Sequence, residues 1–245
     1  MIATLSDNLV YPDGYMANAC LPRITLPGQL ACAPRFEEKI ETIPQTEWHE
    51  YIDDVDNRQY IKWMLDQKRA GSCAWEALAQ GMMGNAKKQG LDPVLLNPYS
   101  GYAFTSGGVD RGSNIDTNLE FAMRKGCLPE AIWPRSKGAL AKAPEELWKK
   151  YGRFFRIDEA YDCTSTAETG TALIRGFMVQ FGWRGHSCLL LHLIDQYRAL
   201  FANSWSENWG DMGFGIINLS SVNYMYGAFA FRSIFDFTDY YALVA

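Results

Sequence analysis

The sequence predicts an α+β fold, a helical half followed by an antiparallel sheet with a cleft where the two meet. Three observations carry that prediction. Ala74, Ala77, Leu78 and Met82 recur on one helical face, and so do Ile115, Leu119, Ala122 and Met123. After about residue 154 the pattern changes to short apolar or alternating runs bounded by Gly, Asp and Asn. A chain of 245 residues, 48% of them apolar, is long enough for one sizeable core and too short for two comfortable ones. Helices first and strands afterwards around one core define the class.

Residues 1–42 read as an extended N-terminal arm. They hold Pro12, Pro22, Pro27 and Pro34 with Gly14 and Gly28, lack any sustained period, and are too poor in apolar residues to anchor firmly by burial. Residues 43–245 read as the folded domain. Besides the two helices above, Pro144 starts a short helix over 145–151, and another runs from about Thr166 to Arg175, stopped by Gly176. Strands are expected over 154–161, 177–183, 186–194, 197–203 and 213–218.

The charge pattern narrows the partners. A net charge of -5, with 23 basic residues scattered without a run, shows no polycationic face for nucleic acid. No stretch approaches the roughly 20 apolar residues of a membrane span. The start Met1-Ile2-Ala3-Thr4-Leu5-Ser6-Asp7-Asn8 lacks the basic and apolar regions of a signal peptide, so a cytoplasmic protein is expected. Cysteines 20, 32, 73, 127, 163 and 188 are spaced like neither a disulfide framework nor a zinc site, and read as reduced, mostly buried thiols. No cofactor and no metal is implied.

One cysteine stands apart. Gln67-Lys68-Arg69-Ala70-Gly71-Ser72-Cys73-Ala74-Trp75 places Cys73 after a Gly-Ser turn, at the first residue of an amphipathic helix. Unpaired N–H groups and the helix dipole favour thiolate there, the reactive form of the side chain. Of three histidines, His186 opens a strand. If 186–194 and 197–203 form a hairpin around Asp195 and Gln196, facing residues have numbers summing to about 391, so Asn203 faces Cys188 and is a diagonal neighbour of His186. Asn203 is then placed to orient His186 as a base for Cys73. His192 lies six residues further along the strand and His49 outside it; both read as packing residues.

These segments resemble the papain-like cysteine proteases. Gln67 stands six residues before Cys73. Gly185-His186 precedes an apolar strand, and Asn203-Ser204-Trp205 is followed by Trp209-Gly210-Asp211-Met212-Gly213-Phe214-Gly215. Ile43-Pro44-Gln45-Thr46-Glu47-Trp48 is similar to the start of mature members, and Gly126 to Pro134, ending Ala131-Ile132-Trp133-Pro134, to a further family passage. Five blocks in the family's order span 43–245.

The resemblance implies a two-subdomain fold with Cys73 and His186 on opposite walls of the cleft. It implies that Gln67 and the Cys73 N–H form the oxyanion hole, and that Trp205 shields the His186–Asn203 bond. Substrate backbone would run along Gly112-Ser113 on one wall and Gly185 on the other. The sequence also departs from the family. Ala70 stands where secreted members have a cysteine, Ala74-Trp75 reverses the usual order, and only Arg184-Gly185 separate Trp183 from His186, which predicts a low right wall.

Two functions fit these readings. One is a cysteine protease that cleaves peptide or protein substrates through an acyl-enzyme. The other is an assembly component, such as part of a virus particle, whose arm grips a neighbouring protein.

Overall fold

The computed structural model describes residues 11–233 and 235–244. The first ten residues of the arm, including the Met1–Asn8 reading, lie outside the described residues. Six strands form one antiparallel sheet: β3 (Glu159–Asp162), β4 (Met178–Trp183), β5 (His186–Leu193), β6 (Arg198–Ala202), β7 (Phe214–Asn218) and β8 (Ala228–Arg232), in the order β3-β8-β4-β5-β6-β7. On one face lies α1 (Cys73–Lys88), whose residues from Cys73 to Ala86 are all buried, with α2 (Pro98–Thr105) and α3 (Ile115–Arg124) behind it. Here Leu78, Met82, Leu119, Leu189, Phe229 and Phe231 make one core. On the other face α5 (Thr166–Ile174) and the turn around Trp48 enclose Phe36, Leu173, Val179, Phe181 and Phe201. The short helix α4 (Glu145–Lys150) stands where Pro144 places it.

The hairpin register is the one the site requires. Leu189 pairs with Ala202 and Leu190 with Phe201, and a bulge between Leu190 and His192 shifts the remainder by one. Between β4 and β5 the connection is the two-residue turn Arg184-Gly185, with φ of 47° and 75°. Both positive φ values are those of a tight hairpin turn, so the wall at this point is low.

Four elements differ from the sequence reading. β8 lies between β3 and β4, yet Ala228-Phe229-Ala230-Phe231 alternates small and large apolar residues with no polar face to mark a strand edge. α2 is nearly all buried, so it lacks an amphipathic period; its signal was Asn97-Pro98, where the Asn97 side chain accepts from Tyr99 N. The strand expected over 154–161 begins only at Glu159, because Gly152–Phe154 form a turn and Phe155 and Ile157 point into the core. A C-terminal helix, α6 (Thr238–Val244), was not read at all.

The arm packs on its own domain, more firmly than its composition suggests. Residues Cys20–Leu21 form β1, parallel to β2 (Ser113–Asn114). Beyond it, Arg23 makes a two-pronged pair with Asp162, both essentially buried, and Asp162 also accepts from Gly28 N. Asp116, fully buried, accepts from Ile24 N, Thr25 N and Thr25 Oγ1. Ala33 and Phe36 are fully buried, Phe36 against Tyr161 and Phe177. These contacts join residues 23–36 to the fold, whereas residues 11–21 lie over the cleft.

Candidate active site

Three donors converge on Oδ1 of Asn203: Ser204 N at 2.7 Å, His186 Nε2 at 2.7 Å and the Cys188 thiol at 3.7 Å. Because a backbone N–H can only donate, that atom is the amide oxygen, and Nε2 must carry the His186 proton. Nδ1 is thereby left with its lone pair and has no hydrogen-bond partner among the described residues. This is the tautomer a general base needs. The Trp205 ring stacks on the imidazole, centroids 4.6 Å apart at 27°, and keeps water from the Nε2–Oδ1 bond.

The groups expected to donate to an oxyanion are ordered as tightly. Gln67 Oε1 accepts from Ser204 Oγ at 2.7 Å, so Nε2 is the donating end; it gives one hydrogen to Ala70 O at 3.0 Å and keeps a second. Cys73 sits at the first turn of α1. Gln180 Nε2 donates to Ala74 O at 2.6 Å and to Ser187 Oγ at 3.2 Å, tying the nucleophile's helix to the histidine's strand.

Gly112, Ser113, Gly185 and Trp205 are the residues expected to face substrate. Gly112 does not offer its N–H, which donates to Tyr102 Oη at 3.0 Å; Ser113 N instead donates to the arm, to Ala19 O at 3.1 Å. Gly112 is needed for space, since a Cβ there, at φ 95°, would stand 2.0 Å from Ala19 O. Opposite, the Gly185 carbonyl accepts from Cys20 N at 2.8 Å. Trp205, 2% exposed, meets the arm rather than solvent. His192 sits apart, 3.2 Å from Asp56, and His49 bonds to Thr46 O.

The sequence reading missed the arm's part in the site. Tyr11 packs edge-on against His186 at 5.9 Å and against Trp205 at 5.2 Å, and Tyr15 packs on Trp205 at 6.0 Å. Tyr15 Oη donates to Asp66 at 2.5 Å. Cys73 is fully buried in one cluster with Ala19 and Cys20 of the arm. A signal did exist in the two tyrosines and the Tyr-Met-Ala-Asn-Ala-Cys run, too short to show a period.

Burial reverses the electrostatics expected of an open site. It pushes the Cys73 thiol up to about 12, backbone hydrogen bonds at Ser187 and Ala74 opposing it, and pushes His186 down from 6.5 to about 4, the Asn203 bond opposing. Burial thus favours a neutral thiol at Cys73, where thiolate was expected, and a neutral imidazole at His186. Because the folded value of His186 lies below its unfolded one, the unfolded state takes up a proton first. The associated stability is present above pH 6.5 and is lost as pH falls towards 4. By pH 5 the loss is about 2 kcal/mol, or about 4–8 °C in melting temperature. His192 is lowered by burial in the same direction. The expected result is a melting temperature that falls between pH 7 and pH 5 and falls less in His186→Gln; equal slopes in the two proteins would refute the assignment.

Comparison with solved structures bears out the fold. The chain is similar to xylellain, a cysteine protease from Xylella fastidiosa, at 16% identity over 93% of this chain and 100% of that one, with a TM-score of 0.67. It is similar to a structure from work on the mite allergens Blo t 1 and Der p 1 at 14% identity, over 88% and 81% of the two chains, TM-score 0.62. It is also similar to digestive procathepsin L 3 of the Tenebrio molitor larval midgut at 14% identity, over 73% and 69%, TM-score 0.59. No family model matches the sequence, nor does any curated protein. At such identities the likeness speaks for architecture: the chain has the α+β, two-subdomain fold of the papain-like cysteine proteases.

Proposed function

We propose that this protein is a cysteine protease held in a latent state by its own arm. Cys73 attacks the carbonyl of an extended peptide, His186 takes its proton through Nδ1 and returns it to the leaving amine, and Asn203 holds the imidazole. The oxyanion forms between Gln67 Nε2 and Cys73 N–H. The observation that carries this reading is the His186–Asn203 bond at 2.7 Å, whose acceptor is fixed as oxygen by Ser204 N.

Ser113 N–H and the Gly185 carbonyl supply one donor and one acceptor on facing walls. That pair suits a peptide backbone in extended form, and the arm occupies it now. The arm enters beside His186 and Trp205 and leaves along Ser113-Asn114. A substrate must run the other way, because its acyl half stays with Cys73 and its amine half departs past His186. The described residues of the arm therefore run with opposite polarity to a substrate. Its contacts are made to this chain's own cleft, which favours latency over the role of gripping a neighbour in an assembly.

The test is turnover of a fluorogenic peptide mixture by the full chain carrying Tyr11→Ala. Hydrolysis that disappears in Cys73→Ala supports the reading, and an inert but folded protein refutes it. In the same background Gln67→Ala is expected to lower kcat about 100- to 1,000-fold, the usual cost of one oxyanion donor. A rise in KM with kcat unchanged would contradict its role.

A further inference from the structure

The oxyanion hole has a weakness in its construction: its two donors belong to separate segments. Gln67 lies in the loop before α1, and the Cys73 N–H lies in the first turn of α1 itself. Their spacing has to be held by something that touches both.

Arg135 does. It follows Trp133-Pro134 at the end of the Gly126–Pro134 passage, a motif with no part in the chemistry above. The passage fixes it in place: Glu130 Oε1 accepts from Arg135 N at 2.8 Å, and Trp133 O accepts from Asn97 Nδ2 at 2.5 Å. From there the guanidinium divides. Nη1 donates to the carbonyl of Asp66, directly before Gln67, at 2.8 Å. Nη2 donates to Glu76 Oε2 at 2.5 Å, and the other oxygen of the same carboxylate accepts from Ser72 Oγ at 3.0 Å, directly before Cys73. Its face lies over the Tyr99 ring at 4.9 Å, and Tyr99 Oη donates to Gln67 O at 3.2 Å.

We propose that Arg135 is a positioning residue of the oxyanion hole, a planar fork that sets Gln67 and the Cys73 N–H at their working separation through Asp66 O and the Glu76–Ser72 pair. The inference rests on the thiol-hydrolase reading of the site. A guanidinium suits this place because its N–H groups point in fixed directions in one plane; an ammonium of equal charge supplies one point and cannot hold both contacts. Glu76 is fully buried and Arg135 is its one cationic partner among the described residues, so the pair also stabilises the fold. A structural role alone and a positioning role therefore have to be separated by experiment.

Arg135→Lys, Arg135→Met and the double variant Arg135→Met/Glu76→Gln, each in the full chain carrying Tyr11→Ala, separate them. The double variant removes the buried charge together with its partner. Two reactions of Cys73 are measured: acylation by the p-nitrophenyl ester of benzyloxycarbonyl-glycine, which needs the oxyanion hole, and alkylation by iodoacetamide, which does not.

The expected result is acylation lowered at least about tenfold in all three variants, short of the roughly 100- to 1,000-fold cost of losing an oxyanion donor outright, with KM nearly constant and alkylation within about twofold of the parent. The double variant recovers melting temperature without recovering acylation. The proposal is overturned if Arg135→Lys acylates like the parent, if the double variant recovers acylation along with stability, or if alkylation falls in step with acylation. A parent that is alkylated at Cys73 but never acylated would overturn the hydrolase reading itself, and the proposal with it.

Discussion

Replacing His186 by alanine in an arm-opened protein is expected to lower kcat/KM on the order of 10,000-fold or more, the scale on which nucleophile–base pairs fail when one member is removed. The loss has two parts. Nδ1 is the imidazole nitrogen left as an acceptor once Nε2 is committed to Asn203, so the proposed acceptor of the thiol proton is lost with the ring. The imidazolium that protonates the leaving amine also disappears. Asn203→Ala should cost less. It releases the ring from its fixed tautomer, but Trp205 still stacks on it and Gln180 still ties its strand to α1. Comparing the two variants in one peptide assay, with melting temperatures alongside, checks the order; equal losses in folded proteins would contradict the assigned roles.

The second large effect is expected from the arm. Tyr11 holds two aromatic contacts, over His186 and Trp205, each worth about 0.5–1.5 kcal/mol beyond burial. Removing both with Tyr11→Ala should raise the open population roughly 10- to 100-fold. Cys20→Asp should act more strongly, since it places an unpaired carboxylate in the buried cluster around Cys73. Neither change should unfold the domain, because residues 23–36 stay attached through Arg23–Asp162, the three donors to Asp116 and the buried Phe36. Peptide turnover against circular dichroism tests this: activity rises while the helical and sheet signal is kept. A fall in both together would mean that the whole arm is one structural unit.

Much of the site was legible because its geometry follows from local rules. Strand alternation and the hairpin centre at Asp195-Gln196 place Asn203 across from Cys188, and the observed register agrees. The bulge lies beyond this pair, towards His192, and leaves it undisturbed. The helix starting at Cys73 follows from the Gly-Ser turn and the period of Ala74, Ala77, Leu78 and Met82.

What was not legible depends on burial and on contacts distant in sequence. The Cys73 thiol was expected to be ionised by its helix position, but the arm excludes water and desolvation outweighs the dipole. β8 and α2 hide because both are buried all round, which erases the alternation or period that marks an element. The arm looked unanchored because its anchors are two carboxylates, Asp116 and Asp162, located far away on α3 and β3. Gly112 looked like a substrate donor because spacing cannot reveal that Tyr102 already takes its N–H.

The most direct test of a latent Cys73–His186 site is intact-mass labelling with a peptidyl vinyl sulfone at pH 7, applied to the full-length protein, to Tyr11→Ala and to Tyr11→Ala/Cys73→Ala. One adduct, mapping to Cys73, should form slowly in the first and at least about tenfold faster in the second. The third should form none. Equal rates in the first two proteins, or an adduct that persists without Cys73, would contradict the account.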